Sequence, residues 1–135
     1  MVFRKMLIIS LLCAIVSLPG EAGMQTSKLP DEIVRAFESG DARTISNHFN
    51  SPVELILSES GGVFAKAQAE QILKSFFTDN ASANRKFNYK ELHASIIRDN
   101  AQSFIGELHT GKGIYRVTIY MKDQRINLMR IESND

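Results

Sequence analysis

The feature that most restricts the fold is a change of apolar period near Arg85. Before it, Ala69, Ile72, Leu73, Phe76 and Phe77 recur at steps of three and four between Lys66 and Asp79, the spacing of one helical face. After it the step is two. Apolar and polar residues alternate almost to the C-terminus, interrupted by the turn-prone pairs Asp99-Asn100, Gly111-Lys112 and Asp123-Gln124. A pattern with one period does not settle into an element with the other. The chain therefore reads as a helical front and an antiparallel back of four strands: Phe87–Ile97, Gln102–Thr110, Ile114–Lys122 and Arg125–Ser133.

The front begins with a tether, Met24 to Leu29. Pro30-Asp31-Glu32 opens a helix with proline and acids where free amides and the dipole favour them. Ile33, Val34, Ala36 and Phe37 give it an apolar face, and Gly40 ends it. Asp41 caps a second helix, Ala42 to Phe49, beyond which Pro52 blocks helix. Val53 to Ser58 is a strand, Gly61-Gly62 a hairpin turn, and Val63-Phe64-Ala65 the start of a return strand.

Two-residue turns set the register of the back. Gly111-Lys112 pairs Glu107 with Arg116 and Phe104 with Ile119. Asp123-Gln124 pairs Ile119 with Leu128 and Val117 with Arg130. One face then carries Phe104, Leu108, Tyr115, Val117, Ile119, Met121, Ile126 and Leu128, and should lie under the helices. The other carries Ile105, Glu107, His109, Arg116, Thr118, Tyr120, Asn127, Met129 and Ile131. It is more apolar than a solvated face needs. Ile105, Tyr120, Met129 and Ile131 are the candidates for a sheet-to-sheet homodimer or protein interface.

The first 22 of the 135 residues have another logic. Arg4-Lys5, an uncharged run from Met6 to Leu18 and Pro19-Gly20-Glu21-Ala22 form the pattern of a secretory signal peptide. The run is short of the ~20 apolar residues a spanning helix needs. Cleavage after Ala22 leaves one domain, residues 23–135, exported to the periplasm or the extracellular space. Removing Arg4, Lys5 and Glu21 takes the charged residues from 16 basic and 15 acidic to 14 of each. A neutral domain without a basic stripe is a poor nucleic-acid binder. Cys13 is the only cysteine and lies in the leader, so disulfides, thiolate catalysis and cysteine-held metals are not expected. Leu12 before it is too large for a lipid-attachment motif.

Chemical motifs are sparse. Gly106-Glu-Leu-His-Thr-Gly111-Lys112-Gly113 has the spacing of a phosphate-binding loop, but Gly113 replaces the magnesium-holding hydroxyl and a strand follows instead of a helix. His48, His93 and His109 have no second ligand at helical spacing, so no metal is expected. A two-residue turn at Asp99-Asn100 would put His93 opposite Gly106, on the helix-covered face, in a polar row with Glu91 and Tyr89. A half-buried histidine there can act as acid, base or ligand group, or be a satisfied core residue. Arg130 falls on the covered face beside Val117, where it needs a carboxylate such as Glu91 or Glu38 or a wet pocket mouth. His93, Tyr115, Arg130 and Glu91 are therefore the candidate pocket-lining residues.

The order of elements resembles the cone-shaped fold of nuclear transport factor two and its relatives. Four stretches further resemble a family of secreted bacterial proteins, the domain of unknown function 4783: Pro30-Asp-Glu-Ile-Val-Arg-Ala-Phe-Glu-Ser-Gly-Asp41, Lys66-Ala-Gln-Ala-Glu-Gln-Ile-Leu-Lys-Ser-Phe-Phe77, Phe104-Ile-Gly-Glu-Leu-His-Thr-Gly111 and Leu128-Met-Arg-Ile-Glu132. The resemblance implies an α+β cone, with N-terminal helices and a long middle helix packed on a curved antiparallel sheet. Steroid isomerase relatives of this cone use a tyrosine and carboxylates inside it. The first helix here offers Phe37, and only Tyr115 could substitute. The expectation is thus a non-catalytic binding or interaction module without cofactor, taking a small apolar ligand between helices and sheet or a protein partner on the sheet. The alternative is an isomerase- or lyase-like acid–base enzyme using His93 with Tyr115 or Arg130.

Overall fold

The computed structural model describes residues 28–134. The leader expected in residues 1–22, with Cys13, and the tether expected before Lys28 lie outside the described residues. Helix α1 (Asp31–Ser39) ends at Gly40, whose φ of 66° lets the chain turn left-handed while the Asp41 N–H reaches back 2.8 Å to the Ala36 carbonyl. Asp41 then caps α2 (Ala42–Asn47): its carboxylate accepts from the Thr44 N–H at 3.1 Å and the Thr44 hydroxyl at 2.6 Å. These bonds hold its pKa below the usual Asp value, the side-chain bond from Thr44 contributing most. Phe49 was expected in this helix. It begins strand β1 (Phe49–Leu57) instead, which returns as β2 (Ser60–Phe64).

The β1–β2 turn is Ser58-Glu59, not Gly61-Gly62. Leu57 pairs with Ser60, and both glycines lie inside β2. Gly61 is there because a Cβ would come within 2.8 Å of Ile56 Cγ1. Helix α3 (Lys66–Asn80) follows, with Ala69, Leu73, Phe76 and Phe77 buried as the helical spacing requires. Then come β3 (Asn88–Ile97), β4 (Ala101–Thr110), β5 (Gly113–Lys122) and β6 (Arg125–Ser133). The sheet order is β2-β1-β6-β5-β4-β3. All neighbours are antiparallel except β1 and β6, which run parallel.

The expected register holds between β4 and β5, where Phe104 faces Ile119 and Glu107 faces Arg116. It fails in the two outer hairpins of the back. The β3–β4 turn has three residues, Arg98-Asp99-Asn100, the last two at φ near 60°. A bulge at Leu92 then restores the phase, so Tyr89 and Glu91 stay on the covered face while His93 crosses to the open one, opposite Ile105. A second bulge at Asn127 shifts β6. Ile119 meets Met129 and Val117 meets Ile131. Met129 and Ile131 are fully buried, whereas Leu128 and Arg130 face the open side.

The core lies between helices and covered face. Phe37 of α1 stacks on Tyr89 at 5.3 Å between centroids, and Phe77 of α3 meets Phe37 and Phe87 edge-on. Phe76 meets Tyr115 of β5 edge-on at 5.0 Å, so the roof formed by α3 reaches the middle of the sheet. Among the described residues no helix is long and apolar enough to cross a membrane.

Candidate functional site

Two surfaces of the sheet could hold a partner, and the strands sort the candidate residues between them. The covered face closes on itself. The Tyr115 hydroxyl donates to Asn80 Oδ1 at 2.7 Å, and the Asn80 amide donates to the Phe76 carbonyl at 2.8 Å, at the C-terminal end of α3. The Gly111 N–H reaches the Asn80 carbonyl at 2.9 Å, and a Cβ on Gly111 would lie 2.7 Å from the Ser82 backbone nitrogen. The turn within the phosphate-loop-like stretch is thus a clamp on the end of the roof helix. Tyr115 is a packed, answered hydroxyl.

Glu91 lies one row further along this face, on the edge strand β3. Its Oε1 accepts the Leu29 N–H at 3.0 Å, and the Leu29 side chain is buried in the core. Tyr89, two residues earlier, is 8% exposed, and its hydroxyl has no hydrogen-bond partner among the described residues. Burial, and secondarily the Glu91 charge, push its pKa above the usual tyrosine value.

His93 is exposed on the open face, with Nε2 2.8 Å from the Ser95 hydroxyl. Arg130, expected beside Val117, stands opposite Thr118 on the open face, with Nε 3.7 Å from Glu132 Oε1. His93, Tyr115 and Arg130 therefore do not converge, and the geometry needed for acid–base work between them is not built. His48 pairs with Glu32 at 3.1 Å and His109 with Glu107 at 3.4 Å. Among the described residues no three His, Cys, Asp or Glu side chains gather as a metal site.

The open face has a pattern. One transverse row runs Lys90, Glu107, Arg116, Glu132, alternating in sign across β3, β4, β5 and β6. Beside it run His93, Ile105, Thr118, Arg130 and Ile56, and then Ser95, Ser103, Tyr120, Leu128, Glu54 and Val63. No helix covers these rows. Ile105, Tyr120, Leu128 and Ile56 are half-buried by their neighbours alone, and Val63 is 66% exposed. Ile105 and Tyr120 stand where the alternation put them. Met129 and Ile131 are corrected from interface to core, and Leu128 takes their place. The signal for this was present: Ile126, Met129 and Ile131 can all face inward only if one residue between the first two is extra.

Residues 30–133 match the sequence profile of a family described as domain of unknown function (DUF4783). No curated protein matches the chain in sequence. A DUF4783 protein of Bacteroides ovatus has 25% identity and a TM-score of 0.69, over 82% of this chain and 99% of that one. Another from Bacteroides fragilis has 23% identity and a TM-score of 0.67, over 79% and 100%. A Nostoc punctiforme domain of unknown function with a cystatin-like fold superposes with a TM-score of 0.60 at 8% identity, over 78% and 72%. That last likeness concerns fold alone. With its three-helix roof on a six-strand sheet shared with nuclear-transport-factor-2-like and cystatin-like folds, and its match over residues 30–133, the chain belongs to the DUF4783 family.

Proposed function

We propose that the chain is an exported, non-catalytic binding module whose working surface is the open face of its sheet, occupied by a second copy of itself. Export rests on the basic start, the short apolar run and the small residues of positions 1–22. With that leader intact, the protein should be recovered outside the cytoplasm on fractionation. Retention there would overturn the export reading.

The observation that carries the docking reading is self-complementarity. The row Lys90, Glu107, Arg116, Glu132 alternates in sign, so a two-fold axis can set each cation of one copy against an acid of the other. The adjoining rows supply Ile105, Tyr120 and Leu128 as an apolar centre. The two-fold axis then runs between β4 and β5, so the overlap is β3 to β6, four strands of nine or ten residues about 4.8 Å apart, or roughly 600 Å². That is the low end of the area per partner in a specific interface. Light scattering on the purified protein should give a dimer, and Leu128→Asp should give a monomer with unchanged circular dichroism. A wild-type protein that stays monomeric at the highest attainable concentration sinks the reading.

A further inference from the structure

The interior of the cone treats its two tyrosines differently. The hydroxyl of Tyr115 is answered by Asn80. The hydroxyl of Tyr89 is buried with no partner among the described residues. Its ring stacks on Phe37, which continues through Phe77 to Phe87, an aromatic cluster in which phenylalanine would pack equally well and bury no donor. The chain also makes room for this hydroxyl. Tyr89 lies across Gly106 of β4, so that a Cβ on Gly106 would collide with its oxygen. Glu91 stands directly opposite the same glycine. A buried donor and a carboxylate thus converge over one bare stretch of backbone.

Leu29 docks on this carboxylate. Its side chain is 1% exposed, and its N–H occupies Glu91 Oε1 at 3.0 Å. Lifting Leu29 would vacate the volume of one leucine side chain and leave Oε1 in need of a donor, beside a tyrosine in need of an acceptor. One chemical group answers both: a neutral hydroxyl, which accepts from Tyr89 and donates to Glu91. An anion is disfavoured by the carboxylate, and a hydrocarbon leaves both groups unanswered.

We propose that Tyr89, Glu91 and Gly106 form a binding site, closed by Leu29, for a small neutral apolar alcohol or phenol. The body of the ligand replaces the Leu29 side chain and its hydroxyl bridges Tyr89 and Glu91. This site lies on the opposite side of the sheet from the docking face and does not depend on it.

The test uses 4-methylphenol as probe and toluene as its counterpart without the hydroxyl, followed by NMR shifts of the Leu29 methyls and the Phe37 ring. The wild-type protein should bind 4-methylphenol at least about thirtyfold more tightly than toluene, the worth of one neutral hydrogen bond and one to a carboxylate. In Tyr89→Phe, which keeps the bond to Glu91, the preference should fall about fivefold with no loss of melting temperature. Leu29→Ala should raise the affinity for both probes and keep the preference. Should that variant not fold, the first two proteins still decide. A wild-type protein that shows no saturable shifts overturns the proposal. So does a preference that Tyr89→Phe leaves unchanged. A lower melting temperature in Tyr89→Phe without probe binding assigns the hydroxyl to an internal water only, which also overturns it.

Discussion

Single side chains decide two local structures here. Asp41 links α1 to α2, and its carboxylate is charged in the bonded form. Because folding depresses its pKa, the stabilisation is present above the ordinary Asp value and lost as pH falls through the depressed one. Asp41→Ala should therefore cost about 1 kcal/mol at neutral pH, and the gap to wild type should close in acid. Urea denaturation of both proteins across that range measures it. A gap that persists after the carboxylate is protonated would mean that the cap acts through something other than its charge. Gly106 is the second case, since no Cβ fits beneath Tyr89. Gly106→Ala should lose about 1–3 kcal/mol. Adding Tyr89→Ala should make that loss smaller than it is in wild type, giving a coupling energy in a double-mutant cycle.

At the level of elements, neighbouring residues of β6 should respond in opposite ways. Met129→Asp buries an unpaired carboxylate in the core and should abolish folding or cost more than about 4 kcal/mol. Leu128→Asp, on the open face, should lose only what dimerisation contributes and cost the monomer itself less than about 1 kcal/mol. Thermal melts of the two variants test the Asn127 bulge directly, and equal losses would refute it. Much of the fold was legible because its signals are local: the Gly40 stop, the Asp41 cap, the apolar stripe of α3 and the two-residue Gly111-Lys112 turn. The misreadings of register share one cause. A bulge or a third turn residue changes the facing of everything beyond it without an obligatory residue type to announce it. That is how His93 and Arg130 came to be expected inside. Gly61-Gly62 misled for another reason: Gly61 serves a close approach to Ile56, not a turn. The parallel pairing of β1 with β6 leaves no local mark. The unanswered hydroxyl of Tyr89 depends on that residue being buried beside a glycine of another strand, which no spacing encodes.

The whole molecule is organised around its last strand. In the order β2-β1-β6-β5-β4-β3, β6 alone joins the front hairpin to the back meander. Without it the sheet would be a two-strand piece and a three-strand piece. Ile126, Met129 and Ile131 would also leave the core. A two-strand hairpin has little independent stability, and half of the roof would lose its floor. Removing residues 125–135 should therefore abolish cooperative unfolding. Shortening β2, an edge strand with exposed Val63, should only lower the midpoint. Native-state hydrogen exchange gives the same ordering within the intact chain. Amides of β5 and β6, bonded on both sides, should open only by global unfolding. Those near Ile96 and Ile97 of β3, an edge with 52% and 44% exposure at these residues, should exchange through local opening. If β6 exchanges as fast as the end of β3, the front hairpin is not anchored through it. The cone would then be two loosely joined halves instead of one cooperative unit.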